Sequence, residues 1–218
     1  MDFRILPVTP FEQNCTLLWC ERTRRVAIVD PGGGSELILD LIGRLALVPE
    51  CILLTHGHID HVGATGTLAP CLGVPIIGPH RDDRFLIHSL PAQCQLFGFP
   101  AVPDFEPDRW LVDGDRVTVG EQVLSVIHCP GHTPGHVVFF DPQARLAQVG
   151  DVLFHGSIGR TDFPRGNYEQ LIASITERLF PLGDDVRFVP GHGPMSTLGA
   201  ERRENPYVGE RAIARRHI

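Results

Sequence analysis

The amino-acid sequence predicts a protein of the α/β class. Short runs rich in β-branched residues alternate with stretches of helical periodicity along all 218 residues. Hydrophobic residues make up 43% of the chain and charged residues 21%, which is the ordinary composition of a globular protein. A chain of this length forms a hydrophobic core without covalent or metal crosslinks, so we expect one domain over residues 1–218.

The predicted elements are short and follow one another closely. We expect strands at residues 3–8, 14–20, 26–30, 51–54, 75–78, 122–128, 136–141, 145–149 and 186–189. We expect helices at residues 35–46, 61–72, 167–179 and 198–204. The region 90–110 is rich in proline and lacks periodicity, which predicts a loop over one face of the molecule.

Charge and composition limit the kinds of binding partner and the cell compartment that the sequence predicts. The formal net charge is -7, which argues against a nucleic-acid partner because such binding needs a basic surface. The amino terminus lacks a signal-peptide pattern, and no apolar run approaches the ~20 residues of a membrane span. The six cysteines form no CxxC pair, which favours reduced thiols in a cytoplasmic protein.

The clearest chemical signal is the segment THGHIDH, which follows the apolar run Cys51–Leu54. Four side chains of metal-ligand type fall close together in it: His56, His58, Asp60 and His61. Imidazole and carboxylate groups are good ligands for zinc, iron or manganese. Alternation in an extended turn points the first two histidines the same way. The last two ligands then begin the next helix and can face a second ion.

Three more candidate ligands each follow a predicted strand. His132 and His192 each follow a Pro-Gly pair, and Asp151 follows residues 146–149 and a glycine. Loops at a sheet edge often carry function, so these residues could converge there, although chain order alone does not establish it. Each alone is as readily a turn or cap residue, and only the upstream HxHxDH motif favours a ligand. His136 is expected to support the site without binding metal.

The pattern HxHxDH, a distant histidine, an aspartate and a last histidine resembles the metallo-β-lactamase superfamily. This resemblance implies an αββα sandwich with metals at one edge of two sheets. More closely, the segments PGHTPGH (130–136), GDVLF (150–154), GRTDF (159–163) and VPGHGP (189–194) resemble bacterial type II glyoxalases, also called hydroxyacylglutathione hydrolases. The chain is similar to their short, single-domain form.

The resemblance implies two divalent metal ions per chain, with zinc preferred and iron or manganese as alternatives. Each ion would have three protein ligands and share one carboxylate: the first ion at His56, His58 and His132, the second at Asp60, His61 and His192, and the bridge at Asp151. Asp30 resembles the aspartate that braces the metal loop in this family, a role that orients ligands without binding metal.

The implied reaction is the hydrolysis of an anionic thioester, S-D-lactoylglutathione or a related acylglutathione, to glutathione and a hydroxy acid. Asp60 and Asp151 would be its catalytic carboxylates. Metal coordination lowers the pKa of water to about 7, so hydroxide would attack the thioester carbonyl without a serine or cysteine nucleophile. Two divalent ions carry more charge than the two carboxylates and a hydroxide offset, which suits an anionic substrate.

The sequence departs from the larger members of the family after His192. Those members carry a C-terminal helical domain that helps to bind glutathione, and the short stretch that follows here predicts its absence. In the larger members a cationic residue after the bridging aspartate contacts a glutathione carboxylate. Arg160 lies at the corresponding place and is the candidate substrate-binding residue. A surface salt bridge is an equally good interpretation of Arg160.

Other functions on the same fold stay open at this point. Iron-dependent glutathione persulfide dioxygenases share much of HxHxDH but hold a single iron. A lactonase or β-lactamase is a second alternative, although many β-lactamases have cysteine or serine where Asp151 stands. A non-catalytic metal-binding module is the third. The metal, the acyl group and the oligomeric state stay undetermined by the sequence.

Overall fold

The computed structural model describes residues 1–216 and contains two six-stranded sheets that pack face to face. The first sheet contains, in chain order and also in spatial order, β1 (Asp2–Val8), β2 (Gln13–Trp19), β3 (Arg25–Val29), β4 (Val48–Leu53), β5 (Ile76–His80) and β6 (Arg109–Leu111). The second sheet contains β7 (Arg116–Val119), β8 (Gln122–His128), β9 (Val137–Asp141), β10 (Leu146–Gly150), β13 (Arg187–Pro190) and β14 (Ser196–Thr197). Its spatial order is β14-β13-β10-β9-β8-β7.

Helices cover the outer face of each sheet, and a small hairpin of β11 (Leu153–Phe154) and β12 (Ser157–Ile158) follows β10. The helices are α1 (Ser35–Arg44), α2 (Ile59–Val62), α3 (Thr65–Leu72), α4 (Arg84–His88), α5 (Leu90–Phe97), α6 (Tyr168–Ala173), α7 (Leu198–Glu204) and α8 (Glu210–Arg216). Within residues 1–216, no helix is long and apolar enough to cross a membrane.

The hydrophobic core has three layers, because strand residues alternate between the two faces of each sheet. On β3, Ala27 and Val29 face the second sheet, while Val26 and Ile28 pack beneath the helices. On β9, Phe139 fills the space between the sheets and is 1% exposed. The layers are therefore helix, sheet, sheet and helix, and the predicted αββα sandwich is confirmed.

Strand direction brings the site to one edge of the sandwich. β3 and β4 are parallel, and in the second sheet β10 is parallel to β13 and antiparallel to β9, as β8 is. The carboxyl ends of β4, β8, β10 and β13 consequently meet at the same edge. Backbone hydrogen bonds join the two sheets there, from Val137 N to Thr55 O at 2.8 Å and from Asn14 N to Gly191 O at 2.7 Å.

Two sequence predictions need correction. The helix expected at 61–72 is two helices, because the N–H of Ala64 donates to Pro31 O at 2.9 Å and not to the preceding helical turn. The loop expected at 90–110 contains α5 and β6. Pro91 lies in the first turn of α5, where its missing N–H interrupts no hydrogen bond. A proline that suggested a loop in fact begins a helix.

Candidate metal centre

All seven predicted ligands lie at the edge where the two sheets meet. They come from five chain segments, each of which follows or caps an element: His56 and His58 in the loop after β4, Asp60 and His61 in α2, His132 after β8, Asp151 after β10, and His192 after β13. The structure thus brings together residues that are up to 136 positions apart in the chain, from His56 to His192.

The first three histidines form a buried cluster. The Nδ1 atom of His58 lies 3.0 Å from His56 Nε2 and 3.0 Å from His132 Nε2. The three rings meet nearly edge to face, at interplanar angles of 81° to 88°. This arrangement directs ring nitrogens from three side chains toward one small volume, as three ligands of one ion require.

The second cluster is composed of Asp60, His61 and His192. The Oδ2 atom of Asp60 lies 3.2 Å from His192 Nε2 and 3.9 Å from His61 Nε2. This mixed set of one carboxylate and two imidazoles differs from the first set, which has imidazoles alone. Both sets suit divalent zinc, iron or manganese by donor type.

Asp151 lies between the two clusters. Its Oδ1 atom is 3.3 Å from His61 Nε2, and its Oδ2 atom is 3.6 Å from His132 Nε2 and 3.7 Å from His192 Nε2. One carboxylate oxygen therefore faces the second cluster alone, and the other faces both. This is the position that a bridging ligand requires.

Two buried polar atoms in this region fit a bound cation. His61 Nε2 and Asp151 Oδ1 are buried and lack a hydrogen-bond partner, although they are close to each other. Buried polar atoms without partners are costly and rare in native proteins. A divalent ion would satisfy both atoms at once, so the residues present fit the metal.

Electrostatics at the two clusters differ. Burial, together with the neighbouring imidazoles, lowers the pKa of His56 well below its usual value, and burial lowers the pKa of His58 to about 3. Burial also opposes the charged form of His61, but the carboxylates of Asp151 and Asp60 outweigh it and raise the pKa of His61. The first cluster is therefore neutral and ready to bind metal. In the second cluster, the neighbouring carboxylates favour the protonated form of His61.

Asp30 contacts the start of the loop that carries the candidate ligands. Its carboxylate accepts hydrogen bonds from Thr55 N at 2.7 Å and Thr55 Oγ1 at 2.6 Å. Its Oδ2 atom also accepts from His61 Nδ1 at 2.9 Å. This contact leaves the opposite ring nitrogen of His61 facing the cluster, which is the usual arrangement of a carboxylate behind a metal-binding histidine.

Backbone carbonyls orient two further imidazoles. His132 Nδ1 donates to Arg160 O at 2.7 Å, and His192 Nδ1 donates to Phe11 O at 3.0 Å. Each contact fixes the tautomer and points Nε2 into the site. His136, expected to be a supporting residue, accepts a hydrogen bond from Asp151 N at 3.0 Å.

Two buried residues that contact the ligand loop follow from no sequence motif. Asp83 accepts a hydrogen bond from Gly57 N at 3.0 Å, and Gln93 accepts one from Ile59 N at 2.9 Å. Gln93 lies in α5, within the region predicted to be a loop. Because their contacts depend on tertiary packing, no local pattern could have identified them.

A cavity of about 490 Å³ opens onto the site. Two exposed aromatic side chains, Phe11 and Phe97, meet at its wall in an edge-to-face contact with ring centroids 6.3 Å apart. The cavity is lined by Phe11, His58, Ile59, Asp60, Gln93, Phe97, His132, Asp151, Phe154, Ser157, Ile158, Arg160, Phe163 and His192. Five of the seven candidate ligands thus face a space that a small molecule can enter.

Arg160 lines the cavity but already has an acidic partner. Its Nε and terminal nitrogen donate to the two carboxylate oxygens of Asp162 at 2.9 Å and 2.7 Å. The guanidinium also lies 4.6 Å from the ring centroid of Phe163. Both members of the ion pair are well exposed, so a substrate carboxylate can reach the arginine only in competition with Asp162.

A further group of His80, Asp82 and His128 has donor atoms close together but lacks a suitable geometry. The two imidazoles stack with ring centroids 4.4 Å apart and an interplanar angle of 24°. The lone pairs of imidazole lie in the ring plane, so here they run nearly parallel instead of converging. This group is not a metal site by geometry.

Comparison with known proteins identifies the family. The family model described as the metallo-beta-lactamase superfamily matches residues 8–192. The chain belongs to the metallo-β-lactamase superfamily. The resemblance carried by the HxHxDH motif is thereby confirmed, and the two-cluster edge described above is the edge at which we expected the metals of this superfamily.

Individual relatives match over nearly the whole chain. The Haemophilus influenzae protein named hydroxyacylglutathione hydrolase GloC is 46% identical, over 97% of this chain and 100% of that protein. The solved structure of TTHA1623 in a di-iron-bound form is 37% identical with a TM-score of 0.86, covering 94% of this chain and 99% of that chain. The structure of BLEG-1 B3 metallo-beta-lactamase is 34% identical with a TM-score of 0.88, covering 95% and 99%.

Gly191 provides a test of the bridging position. A Cβ atom at this residue would lie 2.0 Å from Asp151 Oδ1 and 2.6 Å from His61 Cε1. We predict that Gly191→Ala displaces the carboxylate and weakens metal retention about 10-fold or more, the scale seen when groups that orient ligands are changed. Metal content after dialysis against a weak chelator measures the effect. Gly66→Ala is the matched control, because a Cβ there meets no atom within 4 Å. Equal retention in both variants would contradict the prediction.

Proposed function

We propose that this chain hydrolyses acylglutathione thioesters, with S-D-lactoylglutathione as the first substrate to test. One observation carries the proposal: Asp151 lies between two ligand clusters that line a cavity large enough for a small molecule. The relative named hydroxyacylglutathione hydrolase GloC, similar over its full length, supports the thioester class. The products are glutathione and the free hydroxy acid.

We assign two divalent ions to the site, one for each cluster, with Asp151 shared between them. The first ion is assigned to His56, His58 and His132, and the second to Asp60, His61 and His192. The chemistry that such a pair supplies when bound is a hydroxide nucleophile near neutral pH and Lewis-acid stabilisation of the carbonyl oxygen. Zinc is our first choice, with iron or manganese as alternatives.

The side chains of this chain set the charge and the polarity around the thioester. Asp60 and Asp151 are the only carboxylates that line the described cavity, so a loaded site keeps a net positive charge that favours an anionic substrate. We assign Asp60 a second role, the acceptance of a hydrogen bond from the attacking water. Phe11, Phe97 and Phe154 provide an apolar wall that limits the access of bulk water to the reacting carbonyl.

Thioester turnover by the purified protein tests this function. We predict hydrolysis of S-D-lactoylglutathione that is lost on chelation and restored by added metal. Two control substrates distinguish thioester hydrolysis from other activities known on this fold. They are a β-lactam, and glutathione persulfide with oxygen consumption as the readout. Oxygen consumption without thioester hydrolysis would contradict the proposal and favour a dioxygenase, and full activity in verified metal-free protein would contradict the mechanism.

We propose that Arg160 binds a carboxylate of the substrate by exchanging Asp162 for it. The guanidinium fork suits a bidentate contact with a carboxylate, and Asp162 now occupies that fork. Because the ion pair is exposed, the exchange costs little. Asp162 therefore tunes the affinity for anionic substrates by competing with them.

Arg160→Ala should raise KM for S-D-lactoylglutathione several-fold and leave kcat nearly unchanged. A contact remote from the carbonyl acts equally on the bound substrate and on the transition state. Asp162→Asn is the matched variant and should lower KM, because it releases the guanidinium. Steady-state kinetics with an anionic and an uncharged thioester measure both effects. Equal changes for the two substrates would show that Arg160 only supports its loop.

A further inference from the structure

Asp83 is a buried carboxylate outside the seven proposed ligands. It is the last residue of the short 3-10 turn Arg81–Asp83, and it is 0% exposed. A buried charge is costly unless it is paired or fully hydrogen-bonded. The hydrogen-bond donors to this carboxylate therefore indicate its structural role.

Three donors from two loops converge on Asp83. Its Oδ2 atom accepts hydrogen bonds from Gly57 N at 3.0 Å and from Thr133 Oγ1 at 2.7 Å. Its Oδ1 atom accepts one from Gly135 N at 2.6 Å. All three contacts are buried, so they are shielded from water and depend on the position of this single side chain.

These two loops carry the three histidines of the first cluster. Gly57 lies between His56 and His58, and Thr133 directly follows His132. One carboxylate oxygen thus bonds to both loops, and the other adds a second bond to the loop of His132. The two loops are thus joined through a single carboxylate.

The backbone of the loop that carries His132 approaches Asp83 closely. A Cβ atom at Gly135 would lie 2.5 Å from Asp83 N and 2.6 Å from Asp83 Oδ1. Burial raises the pKa of the Asp83 carboxyl to about 7, although the hydroxyl of Thr133 and the N–H groups of Gly135 and Gly57 lower it. The carboxylate is thus held at a cost in folding free energy, at a point where it bonds to both loops.

We propose that Asp83 is a positioning residue that sets the distance between His132 and the His56–His58 pair, and thereby the metal affinity of the first cluster. The inference rests on the metal assignment proposed above. The second cluster has separate supports, since Asp30 holds His61 and the carbonyl of Phe11 holds His192. A change at Asp83 should consequently lower the affinity for the ion of the first cluster more than the affinity for the ion of the second.

Zinc titration of metal-free protein, with a competing chelator, tests this proposal without any measurement of turnover. Asp83→Asn keeps the volume but replaces one accepting oxygen with a donor, so at least one backbone N–H, that of Gly57 or that of Gly135, loses its acceptor. We expect the affinity for one of two ions to fall about 10- to 100-fold, with the other unchanged. In a His192→Ala background, which lacks one ligand of the second cluster, the same fall should appear in the ion that remains.

Matched variants separate positioning from general stability. Asp82→Asn removes the neighbouring exposed carboxylate and should leave both affinities unchanged. Thr133→Val removes a single donor and should lower the affinity for the same ion to a smaller extent. Thr133→Ser keeps the hydroxyl and should have the wild-type affinity. This pair carries the test if Asp83→Asn does not fold.

Three results would overturn the proposal. The first is wild-type affinity for both ions in Asp83→Asn and in Thr133→Val. The second is an equal loss at both ions together with a lower melting temperature of the metal-free variant, which would indicate a general structural role. A third result, a wild-type protein that binds neither zinc, iron nor manganese, would overturn the metal assignment and this inference together. A protein that binds two ions but hydrolyses no thioester would contradict the proposed function alone.

Discussion

The position of the Asp151 carboxylate is the constraint on which the rest of the site depends. It follows β10, which lies between β9 and β13 in the second sheet, and it reaches across to His61, which follows β4 of the first sheet. His136 accepts a hydrogen bond from the backbone N–H of Asp151, and Gly191 lies so close that a Cβ there would be 2.0 Å from the carboxylate Oδ1. The sandwich therefore serves mainly to bring the ends of strands from two sheets to within contact distance of this one side chain.

The seven candidate ligands could be selected from the sequence because they follow local patterns. The HxHxDH motif and the residues after Pro-Gly or Gly at strand ends are visible without tertiary information, and the structure brings all seven together. Helix α5 could not be predicted in the same way, because its proline lies in the first turn and its amphipathic periodicity is weak. Asp83 and Gln93 could not be predicted at all, since their partners lie more than 25 residues away in the chain.

The part of the site proposed to bind substrate was much less predictable from the sequence than the candidate ligands were. The GRTDF segment indicated Arg160, but not that its guanidinium is held by Asp162, two residues later in the same segment. The aromatic wall joins the turn between β1 and β2, where Phe11 lies, to the end of α5, where Phe97 lies. The metal-binding edge is thus built from strand ends that the fold fixes, whereas the cavity above it is built from loops and a short helix, where relatives of one superfamily can differ in substrate.

The most direct test of the account is the location of metal in a crystal of the loaded protein. Diffraction data measured above and below the zinc absorption edge reveal zinc positions by anomalous scattering. The account predicts two peaks per chain, one against His56, His58 and His132, the other against Asp60, His61 and His192, with Asp151 between them. A single peak in a crystal grown with excess zinc, or two peaks that Asp151 does not contact, would contradict it.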